Sequence, residues 1–158
     1  MSSTPAIELL EAKGIPYRLH SFIQDPDEKS FGKAAAAALE VAEMAVLKTL
    51  IVDLGERLVV GLVPVNAELD LRILAQHFGA KRAALAHRDS AERSSGYVIG
   101  GISPLGQRRL LATVIDDSVE VLPSCFVSAG RRNLEVELSP GDLAGLTNAS
   151  FAPIRRPH

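Results

Sequence analysis

Cysteine is nearly missing: Cys125 stands alone in a chain of 158 residues. That excludes an intrachain disulfide and any cluster of cysteine ligands around a metal. His20, His77, His87 and His158 are scattered, without the short spacings that put two ligands on one helix face. No apolar run approaches the roughly 18 residues that a bilayer-spanning helix needs. The first twenty residues, MSSTPAIELLEAKGIPYRLH, interleave charges with their apolar positions, so no signal peptide core is expected there. A surplus of positive charge is also lacking. Seventeen Lys and Arg stand against 19 Asp and Glu, a formal charge of −2, which excludes a generally basic nucleic-acid coat while leaving room for a local basic patch. Long low-complexity tracts are absent and charged residues make up 23%, so wholesale disorder is not expected. The expectation is a soluble, cytoplasmic domain that needs no metal and no cofactor.

What is present suits one packed domain, residues 1–158: 47% of the residues are hydrophobic, too short a chain for two cores but ample for one. Thr4 and Pro5 make a helix start, and Gly14 stops the helix carrying Leu9 and Leu10. Ile15, Tyr17 and Leu19 alternate as in a half-buried strand. QDPDEKSFG is a polar loop ending abruptly in Phe31, and the Ala-rich stretch Lys33 to Leu39 should be helical because alanine loses least on entering a helix. AVLKTLIVDL and RLVVGLVPV predict a hairpin turning at GE. Asp70 caps a helix through Leu71, Leu74 and His77 that ends at Gly79. A short strand near 83–86 and a charged helix near 89–93 follow. ATVIDD, CFVSAG and LEVEL are three short strands, and Ser139, Pro140 and Asp142 open a last helix. Strands and helices interleave without a regular βαβ cadence, which predicts a mixed α/β domain around a curved, barrel-like sheet flanked by helices.

Four features carry possible chemistry. Lys48 interrupts the apolar segment AVLKTLIV. It is either a strand-edge lysine whose stem lies on the core or a cation aimed into a pocket to hold a phosphate or carboxylate. Thr49 should point to the opposite face. Residues 96–109, GYVIGGISPLGQRR, nearly form a phosphate-cradling loop, since Gly101 and Gly106 have the right separation. Gln107 and Arg108 replace the Lys and Ser or Thr that would continue it. Gly100 and Gly101 allow close approach of the backbone and expose N–H groups to an anion or a carbonyl gaining charge, or they serve only a bend before Pro104. Arg108 and Arg109 face phosphate or water. VSAGRRNLE repeats the pattern with Ser128, Arg131 and Arg132. Ser128 lacks the surroundings of a nucleophile elbow and has no His close in sequence, and Cys125 between apolar neighbours is expected to be buried and inert.

GYVIGGISPLGQRR, with LKTLIV upstream and CFVSAGRRNLEVELSPGDL downstream, resembles the YbaK family of aminoacyl-tRNA deacylases, relatives of the editing domain of bacterial prolyl-tRNA synthetase. The likeness runs from about Thr4 to Phe151. It implies a mixed α/β fold of that type, removal of mischarged amino acids from tRNA with Cys-tRNA(Pro) as the usual substrate, no metal, and association with prolyl-tRNA synthetase. By the same resemblance Lys48 is the residue tied to activity, and Phe31, Thr49, Gly100 and Ser128 match positions of the family's site; with them, Gly100 and Gly101 are expected to offer N–H donors to the reacting carbonyl, and Phe22, Phe31, Thr49, Ile102 and Ser128 to bind substrate. Arg108, Arg109 and Arg131 are candidate contacts to the tRNA backbone. Two positions depart from the family pattern. Phe22 stands where many members carry a pocket-edge tyrosine, and Ala129 stands where glycine is common. The implied chemistry needs no protein nucleophile: the cysteine thiol of the substrate attacks its own ester. Removal of alanine or another small residue by water, and a non-catalytic tRNA- or synthetase-binding adaptor, remain as alternatives.

Overall fold

The computed structural model describes residues 3–23 and 30–157. The polar segment predicted at 24–29 and His158 lie outside the described residues. Thr4 caps α1 (Pro5–Lys13) by accepting the Ile7 N–H, and Gly14 ends it in the left-handed conformation, which glycine adopts without strain. β1 is Arg18–Ser21. α2 (Phe31–Leu39) begins at a Ser30 cap, so Phe31 opens the helix instead of closing the loop before it.

A 3₁₀ turn at Glu43–Ala45 leads into β2 (Leu47–Asp53), which turns back into β3 (Leu58–Pro64) as an antiparallel hairpin. α3 (Leu71–His77), capped by Asp70, β4 (Ala84–Leu85) and α4 (Arg88–Ser95) follow. After the long loop come β5 (Thr113–Asp116), β6 (Cys125–Ser128) and β7 (Leu134–Leu138). α5 (Pro140–Thr147) starts where Ser139 accepts the Asp142 N–H, and β8 (Ser150–Ala152) adds a strand beyond it. That last strand carries no clear alternation in the sequence and was not expected.

The strands form two sheets, ordered β1-β7-β6 and β4-β2-β3-β5-β8. The smaller sheet is antiparallel throughout, whereas β3, β5 and β8 of the larger one run parallel. The mixed α/β class is as expected. The expected barrel-like closure is not found: among the described residues the strands fall into two sheets whose only backbone pairing with each other is the bridge from Val46 to Phe126. β1 also differs in its facing, because Leu19 is exposed while His20 packs on Phe126.

Each face of β3 is covered. Val60 and Leu62 join a core with Leu10, Ile115, Val127, Val136 and Leu143, while Val59 and Val63 join a second core with Val52, Leu74, Val114 and Ile154. Period-2 alternation with both faces apolar is what a central strand requires. No helix among the described residues is long and apolar enough to cross a membrane.

Candidate active site

The corner between the sheets creates the site. On the side of β2 away from β3, β4 pairs only with Val52 and Asp53, and the Val46–Phe126 bridge closes the other end. Between them Leu47, Lys48, Thr49 and Leu50 border a cavity of about 350 Å³. Its other walls are Phe22, the start of α2 at Ser30–Gly32, the loop at Ile99, Gly100 and Ile102, Ser128 at the end of β6, and Asn133 and Glu135 at the start of β7. The volume falls in the range of small-ligand sites.

Lys48 and Thr49 both line this cavity although they alternate along β2, because the cavity follows the open edge of the strand instead of one face. Burial lowers the Lys48 pKa, Glu68 opposes that shift and Lys33 adds to it. The ammonium is therefore a partly desolvated cation, and it interacts more strongly with a bound anion than a solvated lysine would. The Thr49 hydroxyl is buried without a hydrogen-bond partner among the described residues, an arrangement that costs free energy until a ligand meets it.

The glycine pair divides its work. Gly100 borders the cavity with φ +91°, a left-handed conformation that strains any side chain. Its N–H has no hydrogen-bond partner among the described residues. The Gly101 N–H instead donates to the Val98 carbonyl at 2.9 Å, and a β-carbon there would lie 2.7 Å from the Arg131 backbone. Gly101 is thus a packing glycine beneath the cavity wall, and of the pair only Gly100 borders the cavity. Around them the loop is pinned by the Ile99 N–H to Glu92 (2.7 Å), the Tyr97 hydroxyl to the Leu105 carbonyl (2.6 Å) and Gln107 to the Ser103 carbonyl (2.9 Å).

The Ser128 hydroxyl accepts the Gly130 N–H at 3.2 Å, and none of His20, His77 and His87 borders the cavity. A base-activated serine has no support here. Cys125 lies fully buried with its thiol pushed up to about 12 by burial and by Glu137. Arg108 and Arg109 are exposed and do not border the cavity. Their backbone N–H groups anchor the loop to the Ser95 and Ser94 carbonyls. Arg131 likewise sits behind the wall. Among the described residues no group of three or more His, Cys, Asp and Glu side chains converges in a way that could hold a metal ion.

Sequence reasoning missed Glu135. It is 9% exposed, borders the cavity, and burial raises its carboxyl to about 8. The alternation in LEVEL assigns Glu135 and Glu137 to one polar face. Only Glu137 behaves so, with its carboxyl held below the usual range mainly by the Ser124 hydroxyl, assisted by His20 and Arg18. The face is dry at Glu135 because the corner brings β2 against the end of β6, where Ser128 pairs across from Glu135.

The sequence matches the aminoacyl-tRNA editing domain family over residues 25–146. It is 33% identical over 153 residues to EbsC of Enterococcus faecalis (strain ATCC 700802 / V583), named for a proposed Cys-tRNA(Pro)/Cys-tRNA(Cys) deacylase activity. That alignment covers 96% of this chain and 92% of EbsC. The fold superposes with a TM-score of 0.85 on a protein proposed as a trans-editing enzyme for prolyl-tRNA synthetase, at 22% identity and covering 99% of this chain and 100% of the other. The hypothetical protein APE2540 matches equally well, with a TM-score of 0.85 at 25% identity, covering 97% and 100%. With one relative sharing a third of its residues almost end to end, the chain belongs to the aminoacyl-tRNA editing domain family, of the YbaK type.

Proposed function

We infer that this protein is a trans-editing deacylase that removes cysteine from mischarged tRNA, Cys-tRNA(Pro) above all, by using the thiol of the substrate. The observation that carries this reading is the joint placement of Lys48, the free Gly100 N–H and Glu135 around one small cavity that contains no activated nucleophile of the protein.

In this mechanism the cysteinyl side chain folds back within the cavity and its sulfur attacks the ester carbonyl carbon. A C–S bond forms, and the carbonyl electrons move onto oxygen, where the Gly100 N–H stabilises the growing charge. The carbon–oxygen bond to the ribose then breaks. The tRNA 3′ oxygen leaves with the thiol proton, and a cyclic thiolactone remains, which water opens. The protein contributes geometry above all, since holding reacting atoms in attack position is worth up to about 7–11 kcal/mol. Lys48 holds the aminoacyl-adenosine end through its phosphate or carbonyl oxygen. Thr49 and Ser128 supply hydroxyls to the same end, and Phe22, Phe31 and Ile102 enclose the side chain.

Glu135 meets the amino group of the substrate. An α-amine titrates near 8 and the Glu135 carboxyl at about 8, so the pair shares one proton as either the ion pair or the neutral hydrogen bond. Such matching keeps the buried acid satisfied over a broad pH range.

The reading also supplies a reason for the enzyme. A synthetase pocket separates amino acids that differ by one small group by only about 1–3 kcal/mol, and a second site must remove the errors. With a net charge of −2, selection of the tRNA is assigned to a synthetase partner, prolyl-tRNA synthetase, in the cytoplasm.

The test is a deacylation assay on tRNAs charged with cysteine, serine, alanine and proline, run with the unmodified protein and with Lys48→Ala. Cysteinyl-tRNA should be cleared fastest, and Lys48→Ala should abolish clearance. Equal rates for seryl- or alanyl-tRNA would exclude the thiol mechanism in favour of water, and no turnover on any ester would leave a binding adaptor.

A further inference from the structure

Three segments far apart in sequence border the cavity side by side: the start of α2 at Phe31, the loop at Ile99–Gly100, and the turn between β6 and β7 through Asn133. Arg132, in that turn, touches the other two. Its Nε–H donates to the Ile99 carbonyl at 3.0 Å, and its guanidinium carbon lies 5.2 Å from the centre of the Phe31 ring. The fit is close. A β-carbon at Gly100 would sit 2.7 Å from Arg132 Nε and 3.0 Å from two carbons of the Phe31 ring. Phe31 is otherwise lightly held for a large aromatic, being 38% exposed. Neither the family resemblance nor the assignment of roles above gives Arg132 a part.

We propose that Arg132 is a positioning residue that latches Phe31 over Gly100 and so fixes the width of the cavity, making it a determinant of which aminoacyl side chains are accepted. A guanidinium can do this because it is planar. Its central carbon stands over the aromatic ring while its Nε–H reaches the carbonyl, two contacts that a planar group with several donors can make at once. Fixing Ile99 C=O also fixes the peptide that carries the Gly100 N–H, since the two groups belong to one amide. A lysine offers a point charge that cannot serve the ring and the carbonyl from the same position. The consequence for substrate choice rests on the deacylase reading, whereas the latch itself does not.

The test has two arms. The chain contains no tryptophan, so Phe31→Trp introduces a single fluorescent reporter beside the cavity. Combining it with Arg132→Ala should raise acrylamide quenching up to about twofold, since position 31 is already 38% exposed, and shift emission to the red, the change expected when an exposed cation–aromatic contact is lost. Arg132→Lys in the same background should recover less than half of that change. It also serves as the reporter if the alanine variant fails to fold. This arm requires no substrate, so it stands even if no ester is cleared. In the second arm, Arg132→Ala should lower the ratio of cysteinyl- to prolyl-tRNA clearance about two- to fivefold, with an unchanged dependence on salt. Quenching identical to that of Phe31→Trp alone would overturn the latch. So would full recovery with Arg132→Lys, or a uniform loss across all esters with a shallower salt slope, because those outcomes describe a phosphate contact. Intact deacylation with a failed latch would refute this assignment alone.

Discussion

Replacing Glu135 with glutamine should remove the loss of stability that this one buried carboxyl imposes as pH rises from about 5 to 9. Glu135 titrates at about 8 in the folded protein against an ordinary value of 4.5, and burial is the cause. Between those values the folded state holds a proton that the unfolded state has released. Stability therefore falls as pH rises, from its full value below 4.5 to its lowest above 8. At about 1.36 kcal/mol per pH unit, the contribution changes by about 4 kcal/mol between pH 5 and pH 9. Glutamine has nearly the same shape and no titration. For a domain of this length, 1 kcal/mol moves the melting temperature by about 2–4 °C. The wild type should thus lose about 8–16 °C more than Glu135→Gln over that interval, as read by circular dichroism at both pH values. Other groups titrate in both proteins and cancel in the difference. Parallel melting curves across pH would show that Glu135 is solvated, and the dry corner and the proton shared with substrate would both fall with it.

Three further outcomes follow from the site. Lys48→Ala should reduce deacylation at least about 100-fold, the scale of losing a charge-stabilising group, with melting changed by no more than a few degrees. Gly100→Ala forces a side chain onto φ +91° and into Phe31 and Arg132. It should cost about 1–3 kcal/mol of stability in denaturant titration and also abolish activity. Thr49→Val replaces a buried hydroxyl that lacks a partner among the described residues, so the unliganded protein should be as stable or more stable by up to about 1 kcal/mol in denaturant titration, while KM for charged tRNA rises.

The elements were legible wherever local chemistry decides them. The Thr4, Asp70 and Ser139 caps, the Gly14 stop and the β2–β3 hairpin all follow from short-range rules and all occur. Lys48 was visible because a cation interrupts an apolar strand. Glu135 was invisible for the opposite reason, since it obeys the alternation of a solvated strand and is buried only by the tertiary fold, between β1 and β6 and beside the cavity that β2 also borders. The same limit applies to Gly101. Paired glycines announce a close approach, but only the tertiary structure says that one approaches a ligand cavity and the other the Arg131 backbone. Arg132 looked like the second half of a surface pair until Phe31 and Ile99 came to it through the fold.

Among the described residues one backbone bridge, Val46 to Phe126, joins the two sheets, so the walls of the cavity belong to different hydrogen-bonded ladders that share a core. The cation stands on the larger sheet and the acid on the smaller. Substitutions at the cavity-facing positions of the smaller sheet can then remodel the acidic wall over generations while the lysine strand keeps its ladder with β3. Divergence in the amino acid removed would be concentrated on β6, β7 and their turn. A change at the corner itself, such as Phe126→Leu, would alter the spacing of both walls at once and so disturb every substrate together.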